Sequence, residues 1–224
     1  MNFRDICQLA VKEAGVKDGG PSTVIGQSGI LGLFVTWVQQ AWVELWYEQE
    51  WKFRWKRATT TLTAGTAEYA TLPGLSDVDR VFAYEIWNAS VTPKQRLRYV
   101  DHSVIDQAEV MSDTVAYFSR KPNGSFVFYP TPAADTSVRL DYLMSVTALA
   151  ADADIPAIPE TNLHQIIAYK ALMKYGANNE DEVAYMKGKS EYDTYFARIA
   201  KYLPDMDCRP LPVTSVPDNY PRLV

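Results

Sequence analysis

The spacing of apolar side chains changes twice along this chain, and each change marks a different kind of element. Over residues 2–15, Phe3, Ile6, Leu9, Ala10 and Ala14 recur at helical spacing, and Gly15 ends the segment. The Gly/Ser-rich stretch 18–29 reads as a loop. Residues 30–51 carry the strongest helical pattern, with Leu31, Phe34, Val35, Trp37, Val38, Ala41, Trp42, Leu45, Trp46 and Tyr47 covering most of the circumference. A helix that is apolar nearly all round must be buried on several sides, by its own bundle or by a neighbouring subunit. At 1.5 Å per residue it would be roughly 33 Å long.

From about Thr59 the period shortens to two. Residues 59–63, 78–87, 115–120, 126–129 and 137–144 read as strands, the last with Val138, Leu140, Tyr142 and Met144 alternating against Ser137, Arg139, Asp141 and Leu143. Between two such runs, Lys121-Pro122-Asn123-Gly124 supplies a pre-set turn position and then residues that tolerate the left-handed one, the chemistry of a hairpin. Short strands joined by short turns predict an antiparallel block. The Pro/Asp-rich stretch 150–159 leads back to helical spacing: Leu163, Ile166, Ile167, Ala171 and Tyr175 mark a helix stopping near Gly176. A second helix over 180–203 places Val183, Met186, Tyr195, Phe196, Ile199 and Leu203 inward, with Glu180, Asp181 and Glu182 at the positive end of its dipole.

The expected fold is therefore α+β: a discontinuous helical bundle of about four helices with an inserted antiparallel β block. The expected boundaries are 1–57 with 156–203 for the bundle, 58–155 for the insertion and 204–224 for an extended arm. Five prolines between Pro204 and Val224 forbid a helix there, and in polyproline form the arm would reach roughly 65 Å. Leu211, Val213, Val216, Tyr220, Leu223 and Val224 punctuate it, leaving open a free end or an arm laid on a partner.

Composition adds constraints. Of 224 residues, 47% are hydrophobic and 22% charged, which points to a packed globular protein. Six Trp and 14 Tyr suit interfaces as well as cores. A formal net charge of −5 argues against a general nucleic-acid binder, which needs excess base to neutralise phosphates. The first residues hold no apolar signal segment, and Gln39, Gln40 and Glu44 interrupt the most apolar run, so no membrane span is expected. Cys7 and Cys208 sit at opposite ends without metal or disulfide spacing and fit a reducing compartment.

Candidate chemistry is sparse, so neither catalysis, a cofactor nor a metal is expected. Gly188-Lys189-Ser190 resembles the end of a phosphate-binding loop, yet Val183 stands where its first glycine is needed, and the triplet lies in a helical pattern. His102 and His164 are the two histidines, and neither is preceded by a nucleophile elbow. The pairs Asp152/Asp154 and Asp205/Asp207 adjoin prolines and lack a calcium-loop pattern. Lys52, Arg54, Lys56 and Arg57, interleaved with Trp51, Phe53 and Trp55, are candidate nucleic-acid contacts, or else a helix C-terminus anchored by aromatics.

The order of signals carries a resemblance. Thr36-Trp37-Val38-Gln39-Gln40-Ala41-Trp42 is followed by Trp51 to Trp55, Thr59 to Thr63, Gly65-Thr66-Ala67-Glu68-Tyr69 and Leu72-Pro73. Pro122-Asn123-Gly124, Phe128-Tyr129-Pro130-Thr131-Pro132 and Ile155-Pro156-Ala157-Ile158-Pro159-Glu160 come after. This succession resembles the head-to-tail adaptor (connector) proteins of tailed bacteriophages. The resemblance implies a non-enzymatic virion protein in the neck, assembled in the bacterial cytoplasm. It implies a ring of copies bound to the portal and to tail or neck proteins, around a channel that DNA passes without specific binding. On physical grounds the candidate subunit or portal interface comprises Phe34, Trp37, Trp42 and Trp46 on the second helix, with Leu211, Val213, Tyr220 and Leu223 on the arm. The alternatives are another neck or tail component such as a tail terminator, or a DNA-binding module.

Overall fold

The computed structural model describes residues 1–16, 19–105 and 114–204, with the backbone alone at 83–85. In chain order the helices α1 (Phe3–Glu13) and α2 (Gly29–Glu48) come first. The strands β1 (Trp55–Leu62), β2 (Glu68–Tyr69), β3 (Val78–Asn88), β4 (Gln95–Arg96) and β5 (Arg98–Tyr99) follow. After the short helix α3 (His102–Ile105) come β6 (Tyr117–Arg120), β7 (Phe126–Tyr129) and β8 (Thr136–Met144). The long helices α4 (Gln165–Asn178) and α5 (Glu182–Ile199) close the described chain. The fold is mixed α+β.

Two compact units are present: Met1–Phe53 with Val146–Pro204, and Arg54–Ser145. Relative to the sequence expectation, residues 54–57 join the β unit because β1 begins at Trp55. Residues 146–155 join the helical unit through hydrogen bonds: Gln39 Nε2 donates to the Leu149 carbonyl (2.8 Å) and Trp42 Nε1 to the Thr147 carbonyl (2.9 Å).

In the helical unit, α1 starts on a capping box. The Asn2 side chain accepts from the Asp5 N–H at 2.9 Å, and the Asp5 carboxylate accepts from the Asn2 N–H at 3.3 Å. α2 ends before Trp51 because that indole turns back and donates to the Leu45 carbonyl at 2.7 Å, occupying an acceptor of the last helical turns. α4 packs against α1, α2 and α5. It runs past Gly176, which does not end the helix. A Cβ there would lie 2.5 Å from the Tyr185 nitrogen and 2.8 Å from the Asp181 carbonyl oxygen, so glycine allows backbone to approach backbone. Glu180, at φ 54°, makes the turn, and the Asp181 carboxylate caps α5 by accepting from the Ala184 N–H at 2.9 Å.

That close approach sets the rotation of α5 and corrects its expected inward face. Ala184, Gly188, Tyr192 and Ile199 are buried, while Val183 and Met186 are 79% and 55% exposed. Small residues bring the two helices together, so Val183 and Met186, at other angles around the helix, turn outward.

Among the described residues, the β unit forms two four-stranded sheets, ordered β1-β8-β3-β4 and β2-β7-β6-β5. Leu62, Ile86, Phe118, Phe128, Leu140 and Tyr142 from both sheets share one core. Among the described residues, pairing is antiparallel except that β5 runs parallel to β6. The hairpin between β6 and β7 closes at Lys121, whose N–H donates to the Ser125 carbonyl (2.9 Å), with Gly124 at φ 87°.

Candidate functional site

The aromatic residues that make α2 apolar all round are packed inside the helical unit itself. Phe34 stacks on Tyr175 of α4 (centroids 5.2 Å apart) and meets Trp37 edge-on at 5.3 Å. Trp42 and Trp46 are edge to face at 5.1 Å, and Trp46 continues to Phe53 at 5.8 Å. All four candidate interface residues, Phe34, Trp37, Trp42 and Trp46, are buried, which takes them out of the available surface. Leu211, Val213, Tyr220 and Leu223 lie outside the described residues.

What α2 does leave exposed is a different stripe. Leu33, Thr36, Gln40, Val43 and Tyr47 recur at three- and four-residue spacing and carry no charge. Beside it, Glu44 and Glu48 are held by α4: Lys174 to Glu44 at 2.5 Å and Lys170 to Glu48 at 2.7 Å. Tyr192 of α5 also donates to Glu48 at 2.7 Å, and burial with that carboxylate pushes the phenol far up. These pairings fix the flanking charges and leave the uncharged stripe as the outward feature of α2.

The basic run turns out to be mostly paired. Arg54 is buried and meets Asp79 at 2.8 Å. Lys56 donates to Asp77 at 2.9 Å, and Arg57 grips Asp141 through two hydrogen bonds of 2.6 Å. Lys52 is exposed at the end of the helical unit and also has an interaction within the chain. The aromatic partners face inward: Trp51 is buried and stacks on Phe53 at 5.8 Å. The arrangement is that of an anchored strand start, with its cations already bound to carboxylates.

The residues considered for chemistry serve local structure. Cys7 is buried, and that burial together with the nearby Asp152 charge pushes its thiol up to about 12. His164 is buried, with Nε2 2.9 Å from the Ile158 carbonyl oxygen and Nδ1 2.8 Å from the Met1 carbonyl oxygen. His102 lies in the other unit, beside Asp101 at 3.5 Å. Asp152 accepts from the Val24 N–H (2.6 Å) and the Thr23 hydroxyl (3.2 Å). Asp154 accepts from the N–H groups of Ala150 (2.6 Å) and Ala151 (2.7 Å), which hold its carboxyl below the usual range. Asp205 and Asp207 lie outside the described residues. Gly188-Lys189-Ser190 sits inside α5, where backbone amides are occupied by the helix. Among the described residues, no group of three or more His, Cys, Asp or Glu is gathered to hold a metal ion. Among them, too, no helix is long and apolar enough to cross a membrane.

What the fold presents outward is therefore surface: the α2 stripe, Val183 and Met186 on α5, and Tyr99 on β5. Sequence reasoning placed Val183 and Met186 inward by type and did not single out Leu33, Val43 or Tyr99. The three- and four-residue spacing of Leu33, Thr36, Gln40, Val43 and Tyr47 was the available signal.

No curated protein matches the chain. A family model described as "SU10 adaptor protein" matches residues 1–215, nearly the whole length and across both units. The chain belongs to this family and is a structural adaptor protein of a bacteriophage.

Proposed function

We propose that this adaptor forms a ring that joins the portal to the tail and surrounds the path of the DNA, with the helical unit as ring wall and the β unit toward tail components. Family membership supports a virion protein that meets other head or tail proteins. The observation that carries the finer reading is the uncharged α2 stripe from Leu33 to Tyr47, exposed beside the paired Glu44 and Glu48 on a helix whose remaining positions are mostly buried. An exposed uncharged stripe that carries Leu33, Val43 and Tyr47 between fixed charges fits a protein partner. A net negative chain favours passage of DNA over retention, since few counterions would be released on contact.

Electron microscopy of the protein mixed with the portal ring of the same virus tests this reading. An ordered layer on one face of the portal, with matching symmetry, is the expected result. Leu33→Glu with Val43→Glu should remove the layer while leaving the subunit folded. An intact portal without a layer, in the presence of folded wild-type subunit, would move the protein to a more distal neck or tail position, such as a tail terminator.

A further inference from the structure

Two surfaces of this chain carry opposite charge beside exposed apolar side chains. In the first sheet, Arg96 of β4 and Arg139 of β8 both stand opposite Trp87 of β3 in register, so the three side chains share a face. The Arg139 guanidinium lies 5.8 Å from the Trp87 ring centroid, a cation–π arrangement. Where the chain leaves β4, Leu97 turns into the core while Lys94, Arg96 and Arg98 stay exposed, as alternation along an extended segment requires. Segment 89–100 holds these three cations and no carboxylate. The next acid, Asp101, accepts from the Ser103 N–H (3.0 Å) and hydroxyl (2.6 Å). β4 is the edge strand of its sheet, while Tyr99, 43% exposed, alternates to the other side and meets Phe118 edge-on at 5.4 Å.

The second surface is the start of α5. Glu180 and Glu182 are exposed there, while Asp181 between them is occupied by capping. Val183 and Met186 project beside them because α5 turns Ala184 and Gly188 toward α4. Acidic residues complement the dipole at a helix start, which accounts for the carboxylates alone. The outward valine and methionine have no such local reason.

We propose that in the assembled ring these two surfaces meet: the Lys94–Arg96–Arg98 row with Trp87 of one copy receives Glu180, Glu182, Val183 and Met186 of the next. This rests on the ring reading above. Charge complementarity selects a second copy, and the apolar parts distinguish it from DNA. Phosphates would attract Lys94 and Arg98 but offer nothing to the half-buried Trp87, whereas Val183 and Met186 cover it. Two different patches of one chain meeting head to tail form a heterologous contact, the kind that closes a ring. Opposed charges there fix register and reject wrong pairings.

The test uses charge reversal with the full chain on the portal ring. Lys94→Glu/Arg98→Glu removes the basic side, and Glu180→Arg/Glu182→Arg the acidic side. Each variant should fold with unchanged circular dichroism and fail to complete the layer, and all four substitutions in one chain should restore it. Layers of wild-type quality from either one-sided variant would overturn the contact, as would failure of the folded four-fold variant to assemble. An intact layer that loses only its retention of DNA would assign the row to phosphates, again against the proposal. If the wild-type protein itself forms no layer, the ring reading fails first and the contact with it.

Discussion

Gly176 and Gly188 let α4 and α5 approach more closely than any side chain permits, and the energetic balance at each can be argued. Alanine in a helix interior gains about 1 kcal/mol over glycine. At Gly176 the added methyl would meet Tyr185 backbone at 2.5 Å, and rigid backbone relaxes only by separating the helices, at about 1–3 kcal/mol or more. Because rigid backbone is met, the upper end of that cost applies, and subtracting the helix gain leaves about 2 kcal/mol, so Gly176→Ala should lower the unfolding temperature by about 4–8 °C in a chain of this size. At Gly188 the contacts are 3.0 Å and include the flexible Met173 side chain, so Gly188→Ala should cost less. Thermal unfolding followed by circular dichroism decides the order, and a Gly176→Ala protein as stable as the parent would refute the close approach. Arg54 poses a similar question of role. Its removal leaves Asp79 without its buried guanidinium partner, but Asp79 is itself 36% exposed, so the loss is about 1–3 kcal/mol rather than that of a sealed pair. Lys56→Ala, on an exposed pair, should stay within about 0.5 kcal/mol. Denaturant midpoints that fall for Arg54→Ala and not for Lys56→Ala would mark Arg54 as structural.

The connector from β8 back to α4 is held by acids whose ionised form the fold prefers. Backbone N–H groups of Ala151 and Ala150 hold the Asp154 carboxyl low, and Lys201 with Tyr202 does the same to Glu160. Each folded pKa lies below its unfolded value, near 4 for such groups. Their contribution is thus complete above the unfolded value and is lost as pH falls through the folded one. Unfolding temperature should be level around neutral pH and decline below about pH 4. Asp154→Asn, which still accepts hydrogen bonds but cannot titrate there, should weaken that decline. A parent and variant with identical acid profiles would remove Asp154 from the account. In α2, Trp42 unites core burial with a hydrogen bond to the Thr147 carbonyl, so Trp42→Ala should cost about 3–5 kcal/mol, measured by denaturant unfolding.

For the molecule as a whole, charge is unevenly divided: segment 89–100 is purely basic, while Glu180 to Glu182 is purely acidic. Electrostatic contacts of this kind weaken with salt, so assembly on the portal should fall between low salt and about 0.5 M if they order neighbouring copies. Truncation after Leu203 bears on the arm as a tie to a partner. The shortened chain should keep its circular dichroism and lose efficiency in joining head to tail, and unimpaired joining would remove the arm from the assembly. Much of this architecture was legible in advance. The long helices, the strands β3, β6, β7 and β8 and the Pro122-Asn123-Gly124 hairpin follow from period and turn chemistry, whereas β4, β5 and the parallel pairing of β5 with β6 do not. The candidate surface was not, because Phe34, Trp37, Trp42 and Trp46 have the residue types of an interface and the packing of a core.

Periodicity and turn residues by themselves determined that helical segments flank an extended middle, since backbone preference and local spacing act within a few residues. The order of motifs also pointed to a phage adaptor. Only the tertiary structure decided which face of each helix is left over. That choice depends on contacts between residues far apart in sequence: Gly176 against Tyr185 rotates α5 and exposes Val183 and Met186, and Tyr175 against Phe34 draws the aromatic side of α2 inward. The basic run at Arg54 to Arg57 likewise finds its carboxylates on β3, β8 and the chain before β3, partners that no local pattern could name.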